Sequence, residues 1–408
     1  MKFKDYPIQQ EIKDQLDRLG FVKPTDIQYR AISPILEGQD VMAVAQTGTG
    51  KTAAFVIPVL EKIIRNRKKS KSNNIQCLVM VPTRELAKQI ASVFSEIGKN
   101  TSVKTLGLIG GVDQESQIKS LQNKVDVLVT TPGRMFDLIS QGYIQLEKIQ
   151  TLILDEADLM LDLGFHKDIE DVLKFMPKKR QTLFFTATID KKIKKLAYQV
   201  VKDALRIQFS PNNPVAGKVD HSVAFIEMDD KRFFLENILK EYEDGKFIVF
   251  VRTKVRAERV EAAMERVGVK VESIHGGMEQ KKRFELLDRF RSGENNVLVT
   301  TDVAARGIDI PDVDYVINYD LPDNPENYVH RCGRTGRGTR QGQAISFCSS
   351  AEKILLQQIE EYTGEQIEVY DLKPNEYQWI IRDSEDLSYN WKKLIEEANK
   401  EDGKENEW

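Results

Sequence analysis

Hydrophobic positions in this chain come in short, nearly unbroken runs, each closing on a polar cluster. The runs include Val41–Ala45, Cys77–Val81, Val125–Val129, Leu152–Leu154, Thr182–Phe185, Phe247–Val251, Val297–Val299 and Tyr315–Ile317. Runs of this length, apolar on both faces, predict strands buried inside a parallel sheet. Between them lie stretches of helical period such as Glu85–Phe94. Alternating strand and helix predicts an α/β protein with parallel sheets flanked by helices. In such sheets ligands sit beyond the carboxyl ends of the strands, where the polar clusters fall.

Ser210–Gly217, rich in Pro, Asn and Gly, divides two strand–helix series of similar size. The expected organisation is therefore a domain over 1–209, a flexible linker at 210–218, a second domain over 219–370 and an extension over 371–408. The extension holds six Lys/Arg and eleven Asp/Glu, a net of −5 against −3 for the whole chain. A helix is expected from Ser388, with Trp391 on its apolar face, and frayed chain from Glu401 to Trp408. Trp379 and Trp391 are expected to pack on the second domain. The basic stretch Arg65–Asn74 reads as a solvated connector.

With 30% charged residues and no large excess of either sign, nothing in the overall balance signals nucleic acid, so a binding surface must be local. Cys77, Cys332 and Cys348 are too scattered for a zinc site or a disulfide framework and suit a reducing compartment. No apolar run is long enough to cross a bilayer, and no signal peptide is read at the start, so a cytoplasmic protein is expected.

Chemistry enters with Ala45–Thr52, Ala-Gln-Thr-Gly-Thr-Gly-Lys-Thr, lying between an apolar strand and an amphipathic helix. It fits a phosphate-binding loop with Ala45 in place of the first glycine. Gly48 and Gly50 let backbone N–H groups turn toward phosphates, Lys51 reaches the β- and γ-phosphates, and the Thr52 hydroxyl ligates Mg²⁺. Asp155 and Glu156 end the strand at Leu154. There Asp155 is placed to hold the metal and Glu156 to polarise the attacking water. The chain reads as an NTPase.

Asp155-Glu156-Ala157-Asp158 spells the tetrad of the DEAD-box RNA helicases, and the chain resembles that family from about Phe3 to Phe347. The stretches at Leu161–Phe165 and Arg252–Lys254 resemble its bacterial RhlE-type branch. The resemblance implies two tandem RecA-like domains, RNA-stimulated ATP hydrolysis with Mg²⁺, and largely sequence-independent unwinding or remodelling of RNA duplexes and RNA–protein complexes. An ATP-gated RNA clamp or annealer shares every motif and stays open. A DNA helicase and an inactive scaffold are further alternatives, and the competent residues at every phosphate, metal and arginine-finger position argue against the scaffold.

Residue by residue, the resemblance implies nucleotide contacts at Phe21, Gln28, Gln46, Thr47, Gly48, Thr49, Gly50, Lys51, Thr52 and Asp309. Phe21, supported by Phe3, would stack on the base, and Gln28 would match adenine's donor and acceptor. RNA contacts would come from Pro82, Thr83, Arg84, Gly110, Gly111, Thr131, Pro132, Gly133, Arg134, Gly276, Arg283 and Thr300, through phosphates and 2′-hydroxyls rather than base edges. Thr186-Ala187-Thr188 stands where the family has Ser-Ala-Thr and would couple turnover to strand separation. Arg334 and Arg337 resemble the arginine fingers that complete the ATP site when ATP and RNA draw the domains together. Cys332 stands in place of an aliphatic residue; packing is expected to tolerate it, with an oxidation-sensitive position as the alternative reading. The chain is expected to act as a monomer, with the C-terminal extension as the place for a protein partner.

Overall fold

The computed structural model describes residues 2–45, 48–69, 74–208, 219–305, 308, 310, 313–336 and 341–384. The chain forms two compact units, each built on a seven-stranded, wholly parallel sheet. The first sheet contains β1 (Val41–Val44), β2 (Cys77–Met80), β3 (Thr105–Leu108), β4 (Val127–Thr130), β5 (Thr151–Leu154), β6 (Gln181–Thr186) and β7 (Leu205–Gln208). Its order is β3-β4-β2-β5-β6-β1-β7. The second contains β8 (Val219–Phe225), β9 (Phe247–Val251), β10 (Glu272–Ile274), β11 (Val297–Thr301), β12 (Tyr315–Asn318), β13 (Gly342–Cys348) and β14 (Glu368–Val369). Its order, β10-β11-β9-β12-β13-β8-β14, repeats the first with every strand advanced by seven. The two units thus share one RecA-like topology.

The inner strands are the apolar runs: every residue of β1, β2, β4, β5, β6, β9 and β11 is buried. Helices flank the sheets, and several bury an apolar stripe against them. In the helix Arg84–Ile97 the stripe is Leu86, Ala87, Ile90, Phe94 and Ile97. The Thr83 hydroxyl starts this helix by accepting the Leu86 N–H at 3.3 Å.

Several expectations change. The expected strand at Val125 begins at Val127, and the edge strands β3, β7, β10 and β14, with β8 and β13, had no clear apolar run. Of the expected connector, Arg65–Lys69 is not a loop but the end of the helix Lys51–Lys69, and residues 70–73 lie outside the described residues. Arg65 pairs with the buried Glu61 and Arg67 with the buried Asp126, so their charges serve the fold. Among the described residues past 370, Leu372, Tyr377, Ile380 and Ile381 pack into the second core. Tyr377, on the helix Pro374–Asp383, lies 4.9 Å from the Phe234 ring, and its hydroxyl donates to Asp230 at 2.7 Å. Trp379 on the same helix faces outward, 55% exposed, against the packing expected of it. The expected linker at Ser210–Gly217, the helix from Ser388 with Trp391 and the end at Glu401–Trp408 lie outside the described residues.

Candidate active site

Sheet order sorts the motifs of the first unit into two groups. β5, β6 and β1 are neighbours, and their ends carry the DEAD tetrad, Thr186–Thr188 and the phosphate loop. β3, β4 and β2 are the other block, ending in Gly110-Gly111, Thr131–Arg134 and Pro82–Arg84.

In the first group, Gly48 and Gly50 take φ of 83° and 93°, which side-chain-bearing residues rarely adopt. Gly50 is constrained twice, since a Cβ there would meet Gln28 Nε2 at 2.5 Å. Lys51 opens the helix Lys51–Lys69; it is 7% exposed, and its Nζ has no hydrogen-bond partner within the protein. A buried ammonium of this kind calls for an anion. Asp155 is 3% exposed. Burial pushes its carboxyl up, and the Lys51 charge opposes the shift. Glu156 sits at φ 52°, ψ 50°, a left-handed conformation costing about 1–3 kcal/mol in a residue with a side chain. Its N–H donates to Asp155 Oδ1 at 3.0 Å. Thr52 follows Lys51 in the first helical turn and is half-buried. A hydroxyl and a carboxylate are hard oxygen donors that suit Mg²⁺ shared with phosphates. Among the described residues no cluster of three or more His, Cys, Asp or Glu forms a self-sufficient metal cage.

The base-reading segment is joined to this loop. Thr25 Oγ1 donates to the Thr49 carbonyl at 2.8 Å, and Gln28 Nε2 to the Gly50 carbonyl at 3.1 Å. Gln28 Oε1 accepts the Thr25 N–H at 2.9 Å. One N–H and one lone pair of the Gln28 amide remain for a base. Phe3, buried, meets Phe21 edge-on with ring centroids 5.9 Å apart, which leaves Phe21 half-buried and steered from behind.

Asp158 is the residue that sequence reasoning left without a role. Its Oδ2 accepts the N–H groups of Ala187 at 3.0 Å and Thr188 at 3.1 Å, with the Thr188 hydroxyl at 3.3 Å. Thr186 Oγ1 donates to the Thr188 carbonyl at 3.0 Å. The tetrad's last carboxylate therefore holds the Thr186–Thr188 turn. The sequence signal for it was a fourth residue more polar than a metal site needs.

In the second group, Arg84, Gly111 and Gly133 are exposed, while Gly110, Thr83 and Arg134 are half-buried. The Arg84 guanidinium covers both glycines: a Cβ on Gly110 would meet Nη2 at 3.3 Å, and one on Gly111 would meet Nη1 at 2.5 Å. Arg134 Nη2 donates to the Val112 carbonyl at 3.4 Å, and its buried Nη1 has no partner. Pro82, Thr131 and Pro132 are buried and shape the strand ends rather than present surface.

In the second unit Gly276 is exposed, and Arg283 Nη2 donates to the Ala304 carbonyl at 2.8 Å. Thr300 departs from expectation: it is fully buried, and its hydroxyl donates to the Thr301 carbonyl at 3.3 Å, so its side chain presents no surface to RNA. Arg334 is 6% exposed. It lies two residues past the helix Pro325–Cys332, which is pinned by Arg331, whose guanidinium grips both Asp302 oxygens at 2.6 Å and the Asp320 carbonyl at 2.7 Å. Cys332 is completely buried, and burial pushes its thiol up to about 12, which makes it inert rather than oxidation-sensitive. Gln46, Thr47, Asp309 and Arg337 lie outside the described residues.

The DEAD/DEAH box helicase family matches residues 25–196, and the helicase conserved C-terminal domain matches residues 230–339. The chain is 40% identical over 367 residues to the ATP-dependent RNA helicase CshA of Listeria monocytogenes, covering 90% of this chain and 70% of that one. It is 40% identical over 372 residues to RhlB of Shewanella amazonensis, covering 90% and 85%. A fungal rRNA helicase, rrp3 of Aspergillus terreus, stands at 39% over 376 residues, covering 92% and 83%. Identities this even across branches do not place the chain in the RhlE-type branch. Among solved structures, Dbp5 of S. cerevisiae bound to RNA and ADP BeF3 matches with a TM-score of 0.82 at 32% identity, covering 93% and 98%. Mss116p bound to ssRNA and AMP-PNP matches at 0.81 and 28%, covering 92% and 79%.

Proposed function

Because the chain belongs to the DEAD-box family of ATP-dependent RNA helicases, RNA-stimulated ATPases that use Mg²⁺, we propose how its residues divide the work. Lys51 and the Gly48–Gly50 backbone hold the phosphates of ATP. Thr52 and Asp155 would hold Mg²⁺, partly through water, and the bound ion would supply positive charge beside the phosphates. Glu156 orients the attacking water and takes its proton, and Arg334 and Arg337 neutralise charge gathering on the γ-phosphate. Phe21 and Gln28 read adenine. The observation that carries this reading is the buried, partnerless ammonium of Lys51 facing the buried Asp155.

RNA is gripped at its backbone by Arg84, Arg134 and Arg283, with Gly110, Gly111, Gly133 and Gly276 allowing close approach of phosphates. Small residues and arginines of this kind read no base edges, so the grip is largely independent of sequence. The two solved relatives hold RNA, which favours RNA over the DNA alternative. Asp158 passes the state of the nucleotide site to the Thr186–Thr188 turn. The chain acts as a monomer, and the region past residue 370 is the place for a protein partner. No described helix is long and apolar enough to cross a membrane.

The test is Glu156→Gln. It keeps the shape of the site and removes the base, so ATP turnover falls by about 10²–10⁴-fold while ATP-dependent retention of single-stranded RNA persists. Turnover equal to that of the unaltered protein would refute the role of Glu156.

A further inference from the structure

The repeated topology permits a comparison of the two units position by position. In the first, β1 leads through Ala45–Gly50 to a helix whose first residue is Lys51. In the second, β8 leads through Ile226–Asp230 to a helix whose first residue is Lys231. Lys51 and Lys231 therefore occupy the same place in the fold. Lys51 Nζ has no partner in the protein, whereas Lys231, fully buried, donates to Glu352 Oε2 at 2.6 Å and to the Tyr319 carbonyl at 2.7 Å.

Glu352 is 1% exposed and lies just past β13, the counterpart of β6. Its Oε2 also accepts the Ser349 N–H at 3.1 Å and the Ser349 hydroxyl at 2.8 Å. Its Oε1 accepts Arg252 Nη2 at 3.0 Å and the Leu321 N–H at 3.2 Å. One ammonium, one guanidinium, one hydroxyl and two backbone N–H groups converge on this single carboxylate. Those are the donor classes that proteins gather around a phosphate group. Asp320, just past β12, balances the remaining charge: its Oδ1 meets Arg256 at 3.3 Å, and its Oδ2 accepts the Arg252 N–H at 3.1 Å.

We infer that Glu352 is a built-in anion filling an oxyanion site in the second unit, at the place where the first unit leaves Lys51 open for a phosphate. The loop Ile226–Asp230 contains no glycine to wrap an external phosphate, and the carboxylate supplied in cis makes one unnecessary. The chain accordingly binds one nucleotide, and the same carboxylate fixes Arg252 at the end of β9. Removing the carboxylate uncovers a site for inorganic phosphate or a similar tetrahedral oxyanion.

The experiment uses the full chain with Lys51→Ala, which silences the first unit's phosphate site, and adds Glu352→Ala. Loss of the anion leaves the buried Lys231 with the Tyr319 carbonyl at 2.7 Å and only the more distant Asp320 carboxylate, 3.9 Å away, so the melting transition falls by about 5–10 °C. Inorganic phosphate restores most of that loss with a saturable dependence, while chloride at the same ionic strength does not. Adding Lys231→Met abolishes the recovery. Recovery that is absent, that chloride reproduces, or that survives Lys231→Met overturns the inference. If Glu352→Ala does not accumulate folded, refolding yield in phosphate against chloride reads the same question, and equal yields overturn it.

Discussion

Gln28 and Gly50, 22 positions apart in sequence, are joined by a hydrogen bond of 3.1 Å from the Gln28 side chain to the Gly50 carbonyl. The residue that reads the base thus also braces the loop that cradles the phosphates, with Thr25 bonding the adjacent Thr49 carbonyl at 2.8 Å. Base identity and phosphate grip are mechanically one object.

Replacing Gln28 therefore injures both at once. Gln28→Ala removes a buried amide and leaves the Thr25 N–H without its partner, a loss of about 1–3 kcal/mol. ATP affinity, read with a fluorescent analogue, falls by roughly 5–150-fold, and ADP affinity falls alongside it because the damage does not involve the γ-phosphate. An unchanged ADP affinity would contradict the brace.

Asp158 makes a separate prediction. Its carboxylate takes two N–H groups from the Thr186–Thr188 turn, bonds of about 1.5–3 kcal/mol each when an acceptor is charged. Asp158→Ala frees the turn while leaving Lys51 and Asp155 in place, and it removes one like charge from beside Asp155. Duplex unwinding drops by roughly 10-fold or more, while ATP affinity changes little. A parallel loss of ATP affinity would place Asp158 in the nucleotide site instead.

Asp155 gives a pH dependence. Burial raises its carboxyl above the ordinary aspartate value of about 3.9. Protonation thus favours the folded, nucleotide-free protein, and that contribution is lost as pH rises through the folded value. Mg²⁺–ATP requires the ionised form, so binding releases a proton in the window extending upward from about pH 3.9. Calorimetry in buffers of different ionisation heat detects this release, and Asp155→Asn removes that share of it. Identical proton release in both proteins would contradict the assignment.

The cysteines should be silent. Cys77, Cys332 and Cys348 are all buried, and burial holds Cys348 up to about 11 and Cys332 up to about 12. A thiol reagent at neutral pH labels none of them in the folded chain and all three in denaturant. Labelling of Cys332 under native conditions would restore the oxidation-sensitive reading drawn from its place in His330–Arg337.

What was legible in the sequence followed from burial. β2 and β9 are apolar on both faces and stand out as runs, and the motifs at their ends are short and ordered. β7, Leu-Arg-Ile-Gln, buries only Ile207 and looks like a loop. β10, Glu-Ser-Ile, is wholly buried yet polar, because Ser273 finds Glu261 and Glu272 finds Arg289. Function divided in the same way. Lys51 and Asp155 announce themselves by local pattern, whereas the use of Asp158 depends on which strand lies beside β5. Lys231 and Glu352, 121 positions apart, have no spacing to betray them. At Thr300 the motif pointed to RNA, whereas the strand buries its side chain completely.

The most direct test of the account is steady-state ATP hydrolysis by the full chain with and without single-stranded RNA, with matched DNA and GTP as controls. Turnover that rises strongly only when ATP and RNA are both present is the predicted result, because the adenine-reading site and the RNA-gripping residues serve one cycle. Turnover that stays flat across all polymers, or that rises equally with DNA or GTP, would contradict it.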